Sequence, residues 1–187
     1  MSPIEKRIRE ISKKLHLTHI GSCISILPIL KEIYENKKPN DKVILDNAHA
    51  HLAHLLFINP QNAETLIKQY GIHCDQRAGC DASGGSLGHG IGIGIGMALV
   101  NRKRKIYCIV SDGSMQEGSN WEALRIKQQL KLKNLIIYCN FNGYTASAEV
   151  DRDDLVRRMN IFCNDIHVRY TQNGEGLEGI AGHYKTL

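Results

Sequence analysis

The segment from residue 105 to residue 145 constrains the fold most, because it carries the pattern of one strand–helix–strand unit. An apolar, β-branched run at 105–110 ends at Asp112-Gly113. A helical segment follows, and a second apolar run at 135–139 leads to Asn142-Gly143. The crossover of such a unit is right-handed and its strands are parallel, so both polar turns lie at the carboxyl ends of neighbouring strands. The sequence therefore predicts an α/β fold, a doubly wound, mainly parallel sheet flanked by helices, with a ligand site at that edge.

Asp112 and Asn142 offer one carboxylate oxygen and one amide oxygen at this edge. Magnesium takes hard oxygen ligands and completes its octahedron with phosphate and water. Asp-Gly and Asn-Gly are also ordinary turn formers, so the same pair occurs without any ligand. The two residues by themselves leave both interpretations open.

The wider segment D-G-x-x-x-E-G, which starts at Asp112 and is followed by Asn142-Gly143, resembles the thiamine-diphosphate motif of transketolases. The resemblance implies that the chain binds thiamine diphosphate through Mg²⁺, or through Ca²⁺ or Mn²⁺ in its place. Asp112, Asn142 and the backbone carbonyl of Tyr144 would hold the metal. Ser111 replaces the usual leading glycine of the motif, which is a departure from the family pattern.

Four other segments resemble transketolase motifs and follow in family order: H-I-G-S-x-x-S from residue 19, D-N-A-H-A from residue 46, S-G-G-S-L-G-H-G from residue 83, and a glycine-containing tail at 174–187. Two further positions depart from the family pattern: Ala48 replaces a glycine, and Asn140 replaces an acidic residue. The resemblance implies catalytic or substrate contacts for His19, His49, His73, Glu117 and His183. It implies cofactor contacts for His19, His49, Gly85, Ser86, Leu87, Asp112, Gly113, Ser114 and Asn142. For His183, a flexible tail with an incidental histidine is an equally good interpretation.

Glycine and isoleucine alternate from residue 90 to residue 96, and the pattern does not by itself decide between strand and helix. Alternation favours a strand, but interior glycines weaken strands. On a helix, Gly88, Gly92 and Gly96 would share one face and let another backbone approach. The resemblance favours a loop followed by a tightly packed helix whose start faces the cofactor's diphosphate.

The length of 187 residues and the 42% hydrophobic composition predict one domain covering residues 1–187. The net charge of +5 favours anionic ligands such as sugar phosphates. No basic stripe interleaved with aromatic residues predicts nucleic-acid binding. No run of about 18 apolar residues and no signal-peptide core occur, so we expect a cytoplasmic protein without a membrane anchor.

The six cysteines form no C-x-x-C pair and no zinc-binding spacing. Cys108 and Cys139 fall in the predicted strands and are expected to be small buried hydrophobes. Cys74 and Cys80 are expected to be thiols of a surface loop. His51 and His54 are expected to be helix-surface or hydrogen-bonded structural histidines.

The resemblance covers nearly the whole chain and implies the N-terminal subunit of a two-chain transketolase that transfers a two-carbon ketol unit between sugars or sugar phosphates. The partner would be a C-terminal subunit that binds the cofactor's pyrimidine, with homodimerisation inside a heterotetramer. Two alternatives stay open. One is another thiamine-diphosphate enzyme, deoxyxylulose-phosphate-synthase-like or 2-oxo-acid-decarboxylating. The other is a non-catalytic module that keeps the fold.

Overall fold

The computed structural model describes residues 1–187 and contains one sheet of four parallel strands in the order β1-β2-β3-β4. The strands are β1 Lys42–Leu45, β2 Ile106–Ser111, β3 Leu135–Phe141 and β4 Ile166–Tyr170. Ile109 of β2 pairs with Leu45 of β1 and with Tyr138 of β3, so the strand ends stand side by side. The predicted fold class is confirmed.

Nine α-helices surround the sheet: α1 Pro3–Leu15, α2 Ile20–Ser25, α3 Leu27–Asn36, α4 His51–Ile58, α5 Ala63–Tyr70, α6 Gly90–Val100, α7 Gly118–Gln129, α8 Arg152–Phe162 and α9 Gly179–Tyr184. None of them is long and apolar enough to span a membrane. Alternate residues of β2 enter two separate cores, because successive side chains of a strand point to opposite faces. Tyr107 and Ile109 pack with α1 to α5, whereas Cys108 and Val110 pack with α6 to α8.

Strand β3 extends two residues beyond the predicted apolar run, through the polar Asn140 to Phe141. The Asn140 amide is 1% exposed, donates to Oγ of Ser25 at 2.9 Å, and accepts from Oγ1 of Thr171 at 2.6 Å. A buried amide with both sides paired is tolerated in a strand. It also ties the end of β3 to helix α2 and to the segment after β4.

The glycine-rich segment forms a loop followed by helix α6, as the resemblance implied, but the close-packed face differs from the one predicted. A Cβ atom at Gly94 would lie 2.8 Å from Cδ1 of Leu135, and one at Gly90 would lie 2.7 Å from Cβ of Asp46. A Cβ at Gly92 or Gly96 would meet nothing within 4 Å. The prediction of a packed face is therefore wrong for Gly92 and Gly96, because Gly90 and Gly94 lie on the face that packs inward. Gly88 precedes the helix and is closely packed, since a Cβ there would crowd Oγ of Ser119.

We expect Gly94→Ala to leave the protein less stable than Gly96→Ala by about 1–2 kcal/mol in the free energy of unfolding. Each change adds the same helix propensity, about 1 kcal/mol, but only the new methyl at position 94 would crowd Leu135. Urea unfolding of both variants measures the difference. Equal stabilities would contradict the assigned packing face.

Candidate functional site

A cavity of about 200 Å³ opens at the carboxyl ends of β2 and β3. Ten of the residues predicted from the sequence line it: His19, His49, His73, Gly85, Leu87, Asp112, Gly113, Asn142, Tyr144 and His183. Residues that the sequence did not assign to the site complete the lining: Ser22, Asn47, Ser111, Asn140, Thr145, Ala146 and Tyr184. The cavity therefore collects residues from the whole length of the chain.

Asp112 lies at the tip of β2 and is 1% exposed. Its Oδ2 accepts backbone N–H groups from Asn142 at 3.1 Å, Gly143 at 2.6 Å and Tyr144 at 3.1 Å, and its Oδ1 accepts one from Gly113 at 3.1 Å. Burial raises the pKa of this carboxyl to about 6, and the four N–H donors oppose the shift. Oδ1 has a single donor, so it keeps capacity to bind a cation.

Asn142 reaches the same point from the tip of β3. Its Oδ1 accepts the N–H of Tyr144 at 3.0 Å, the same N–H that Oδ2 of Asp112 accepts at 3.1 Å. Its Nδ2 donates to Oδ1 of Asn173 at 2.9 Å, which fixes the orientation of the amide. The carboxylate and the amide oxygen therefore converge, and this pair of hard oxygen donors fits magnesium.

Asn47 gives a second indication of a polar ligand. Its side chain is 1% exposed, and neither its amide oxygen nor its amide nitrogen has a hydrogen-bond partner in the protein. Buried amides are normally paired, so an orphaned one at a cavity wall marks a place for a hydrogen-bonding ligand. The sequence placed Asn47 inside the D-N-A-H-A segment but assigned no role to it, although that segment was the available signal.

Three imidazoles cluster at one wall of the cavity. The ring centroid of His19 lies 4.9 Å from that of His49 and 4.6 Å from that of His183, and the backbone N–H of His19 donates to the carbonyl of His183 at 3.2 Å. His19 has a left-handed backbone with φ of 61°, an uncommon conformation for a residue other than glycine. The tail is therefore folded against the site as helix α9, and His183 is not an isolated residue of a flexible tail.

The cluster keeps its histidines uncharged at neutral pH. Burial, followed by the nearby imidazoles, lowers the pKa of His19 to about 4 and that of His49 to about 3. Burial also lowers the pKa of His183. Neutral imidazoles each offer one N–H donor and one lone pair, which suits hydrogen bonding to the hydroxyl groups of a sugar.

We expect the three histidines to make the fold acid-sensitive. The folded state binds fewer protons than the unfolded chain, whose histidines titrate near about 6.5, so stability is full above that pH and falls as pH drops toward 4. His49→Gln should flatten this fall between about pH 6.5 and 4, which thermal melts at a series of pH values would measure. His89→Gln, an exposed position outside the cavity, is the matched control. Identical pH profiles for wild type and His49→Gln would contradict the expectation.

Three predicted site residues lie outside the cavity lining. Ser86 is exposed, Ser114 is fully buried behind the Asp112 turn, and Glu117 is exposed at the start of α7. Ser114 donates its backbone N–H to Oγ of Ser111 at 3.1 Å, so the serine that replaces the usual glycine takes part in the turn.

Asp46 directly follows β1, and its side chain lies against the start of α6. There it accepts hydrogen bonds from the backbone N–H groups of Gly88 and Gly90. These donors belong to the first turn of the helix and to the loop that leads into it. The helix start therefore faces a carboxylate of the protein, which differs from the expectation that it faces a diphosphate.

The loop cysteines and the extra histidines also differ from part of the expectation. Cys74, Cys80, His51 and His54 are all buried, between 0% and 6% exposed, so a surface position is wrong for each of them. Nδ1 of His51 donates to the carbonyl of Gly71 at 2.9 Å, which agrees with the structural alternative for that histidine. The loop reaches the interior because it closes back on helix α4.

The fold and the site together define a thiamine-diphosphate-type α/β domain, and known proteins of that class are similar to this chain. Residues 5–154 match the family model described as 1-deoxy-D-xylulose-5-phosphate synthase. The chain is 37% identical over 98 residues to one of the subunits of the apulose-4-phosphate transketolase from Actinobacillus succinogenes, covering 48% of this chain and 35% of that protein. It is 30% identical over 172 residues to a 6-deoxy-6-sulfo-D-fructose transketolase subunit of a Clostridium species, covering 76% and 62%.

Solved structures agree at the level of the fold. The transketolase of Campylobacter jejuni superposes with a TM-score of 0.64 at 15% identity, over 98% of this chain and 40% of that one. The transketolase of Leishmania mexicana gives 0.63 at 15% identity, over 92% and 37%.

The chain belongs to the transketolase family and corresponds to its N-terminal part. Membership of this family implies the use of thiamine diphosphate. The chain spans about a third to just under two thirds of the length of the two relatives described above.

Proposed function

We propose that the chain is the N-terminal, diphosphate-binding subunit of a two-chain transketolase-like enzyme, which transfers a two-carbon ketol unit between sugars or sugar phosphates. The convergence of Asp112 and Asn142 on one point carries the proposal. Relatives described as transketolase subunits support the need for a second chain. That partner would be a pyrimidine-binding C-terminal subunit, in a heterotetramer built on a dimer of this chain, and the localisation we propose is cytoplasmic.

The residues at the cavity would hold the cofactor through its metal. Oδ1 of Asp112, Oδ1 of Asn142 and the carbonyl of Tyr144 would bind Mg²⁺, or Ca²⁺ or Mn²⁺ in its place, and the metal would neutralise a diphosphate. Thiamine diphosphate supplies the carbanion chemistry of the transfer. Leu87 adds apolar surface beside the Asp112 turn, since a Cβ at Gly113 would lie 3.8 Å from Cδ1 of Leu87.

The histidines would act on the substrate and not on the metal. His19, His49 and His183 form the neutral cluster described above, and His73 lines the same cavity from the loop after α5. In this role they would hold sugar hydroxyls and move protons at those oxygens. Glu117 lies outside the cavity and exposed, where it would be available to a partner subunit.

We expect Asp112→Asn to abolish magnesium-dependent binding of thiamine diphosphate, with an affinity loss of at least about 100-fold. Loss of an outer hydrogen-bond partner of a metal site costs about 10- to 100-fold, and loss of a ligand charge should cost more. Calorimetric titration with and without Mg²⁺, for the chain by itself and with its partner subunit, measures the effect. Asp153→Asn, an exposed carboxylate on α8, should bind as the wild type does. Unchanged binding by Asp112→Asn would contradict the proposed metal site.

We expect ketol transfer only when the chain is mixed with a pyrimidine-binding subunit, such as one encoded by a neighbouring gene. The assay follows transfer from a ketose phosphate to an aldose in the presence of thiamine diphosphate and Mg²⁺. Neither chain by itself should turn over, because each would hold only one end of the cofactor. The proposal is lost if the reconstituted pair shows neither transfer nor cofactor binding.

A second candidate activity is that of a 1-deoxy-D-xylulose-5-phosphate-synthase-like enzyme, which the matching family model favours over residues 5–154. The same reconstituted pair distinguishes the two activities. Release of carbon dioxide from pyruvate, without ketol transfer, would support the synthase-like activity. Cofactor binding by neither chain nor pair would instead support a non-catalytic module that retains the fold.

A further inference from the structure

Two histidines and two cysteines gather behind the cavity wall, in a position that the proposed function does not use. His51 and His54 lie on helix α4, and Cys74 and Cys80 lie in the loop that follows α5. We call these four residues the His–Cys cluster. Their exposed fractions are 0%, 1%, 4% and 6%, in that order. Four metal-binding side chains are thus removed from water at one place.

The distances among three members of the cluster, His54, Cys74 and Cys80, match those of a tetrahedral metal site. The ligand atoms of His54, Cys74 and Cys80 all lie within 4.8 Å of one another. Nδ1 of His54 is 4.0 Å from Sγ of Cys74 and 3.7 Å from Sγ of Cys80. Zinc bonds of about 2.1 Å to nitrogen and about 2.3 Å to sulfur hold the two atoms about 3.6 Å apart in a tetrahedron. Contraction by a few tenths of an ångström would bring His54 and the two sulfurs to these distances.

His51 is the candidate for the fourth donor. Its Nδ1 contacts the carbonyl of Gly71 at 2.9 Å, and because a carbonyl only accepts, Nδ1 carries the proton and Nε2 carries the lone pair. That Nε2 is buried and has no partner within hydrogen-bonding distance. His51 lies three residues before His54 on helix α4, so the two imidazoles project from the same face of the helix. A buried, unpartnered lone pair, one helical turn from an imidazole that contacts two sulfurs, suits a cation.

Each imidazole also has a hydrogen-bond partner on one ring nitrogen, as zinc-binding histidines usually do. The outer nitrogen of His54, Nε2, lies 2.8 Å from the hydroxyl of Tyr34, and the outer nitrogen of His51 binds Gly71. Such partners set the tautomer and the ring orientation of a metal-binding histidine. In this arrangement Nδ1 of His54 is the free nitrogen, and it is the one that faces the sulfurs.

We propose that His51, His54, Cys74 and Cys80 form a structural zinc site of the Cys₂His₂ type. Four protein ligands leave no open position for water, which distinguishes a structural zinc site from a catalytic one. The ion would fasten the loop to helix α4, next to the existing hydrogen bond from Cys74 N to the carbonyl of Ala48 at 3.1 Å. The same loop carries His73, so the zinc would hold one wall of the cavity in place.

The competing states of the cluster are a disulfide between Cys74 and Cys80 and a hydrogen-bonded pair of free thiols. Both cysteines are free in the structure. The three states differ in metal content and in the number of reactive thiols, so a single sample of the full chain distinguishes them.

The test measures zinc per chain by elemental analysis after purification without chelators, and then replaces the zinc with Co²⁺. We expect one zinc per chain, and a Co²⁺ form with the visible absorption of a tetrahedral site and sulfur-to-metal charge transfer. A chelator should lower the melting temperature and make two further thiols reactive. A metal-free chain that gives no such Co²⁺ spectrum, with a disulfide or with free thiols, would overturn the proposal.

Substitutions in and around the His–Cys cluster test which side chains bind the zinc. Cys74→Ser and Cys80→Ser should lose the zinc, whereas Cys108→Ala, a buried cysteine of strand β2, should keep one zinc per chain. Tyr34→Phe should weaken zinc binding about 10-fold while leaving all four ligands, because it removes only the outer partner of His54. If the serine variants fail to fold, the zinc content and Co²⁺ spectrum of the wild type and of Tyr34→Phe decide the question. Full zinc retention in folded serine variants would overturn the assignment.

Discussion

The site depends on the hydrogen bonds that the Asp112 carboxylate accepts. It ends β2, yet three of its four hydrogen bonds come from backbone N–H groups that follow β3, at Asn142, Gly143 and Tyr144. One buried side chain therefore fixes the turn after the neighbouring strand. Burial raises the pKa of Asp112 to about 6, because the charged carboxylate is less favourable away from water. This destabilises the fold without a ligand, and a bound cation would remove that destabilisation. The geometry of the turn and the capacity to bind a metal thus come from the same residue.

The remaining walls of the cavity come from segments that are far apart in sequence. His19 and His183 are joined by a backbone hydrogen bond, and His49 packs against both. Asn142 is oriented by Asn173, which follows β4. A ligand in this cavity would contact the chain near both ends, so its binding should be coupled to the order of helices α2 and α9.

The sequence predicted the two central strands and the two polar turns well because their signals are local. An apolar run followed by Asp-Gly or Asn-Gly requires no knowledge of distant contacts. The face of helix α6 was predicted wrongly because several glycine faces are available on one helix, and only the position of Leu135 selects the one containing Gly94. Asp46 could not be assigned either, since its N–H donors, Gly88 and Gly90, lie more than forty residues further along the chain.

By itself, the sequence determined the parallel α/β sheet, the oxygen-donating pair at two strand tips and the resemblance to a thiamine-diphosphate family, since each is recognised from short local segments and their order along the chain. Only the tertiary structure decided that His183 packs beside His19 and that Cys74 and Cys80 are buried against helix α4. The physical reason is that burial and long-range contact are fixed by how the segments pack, and residue spacing does not encode that packing. A cysteine spacing without C-x-x-C therefore gave no sign of the His–Cys cluster.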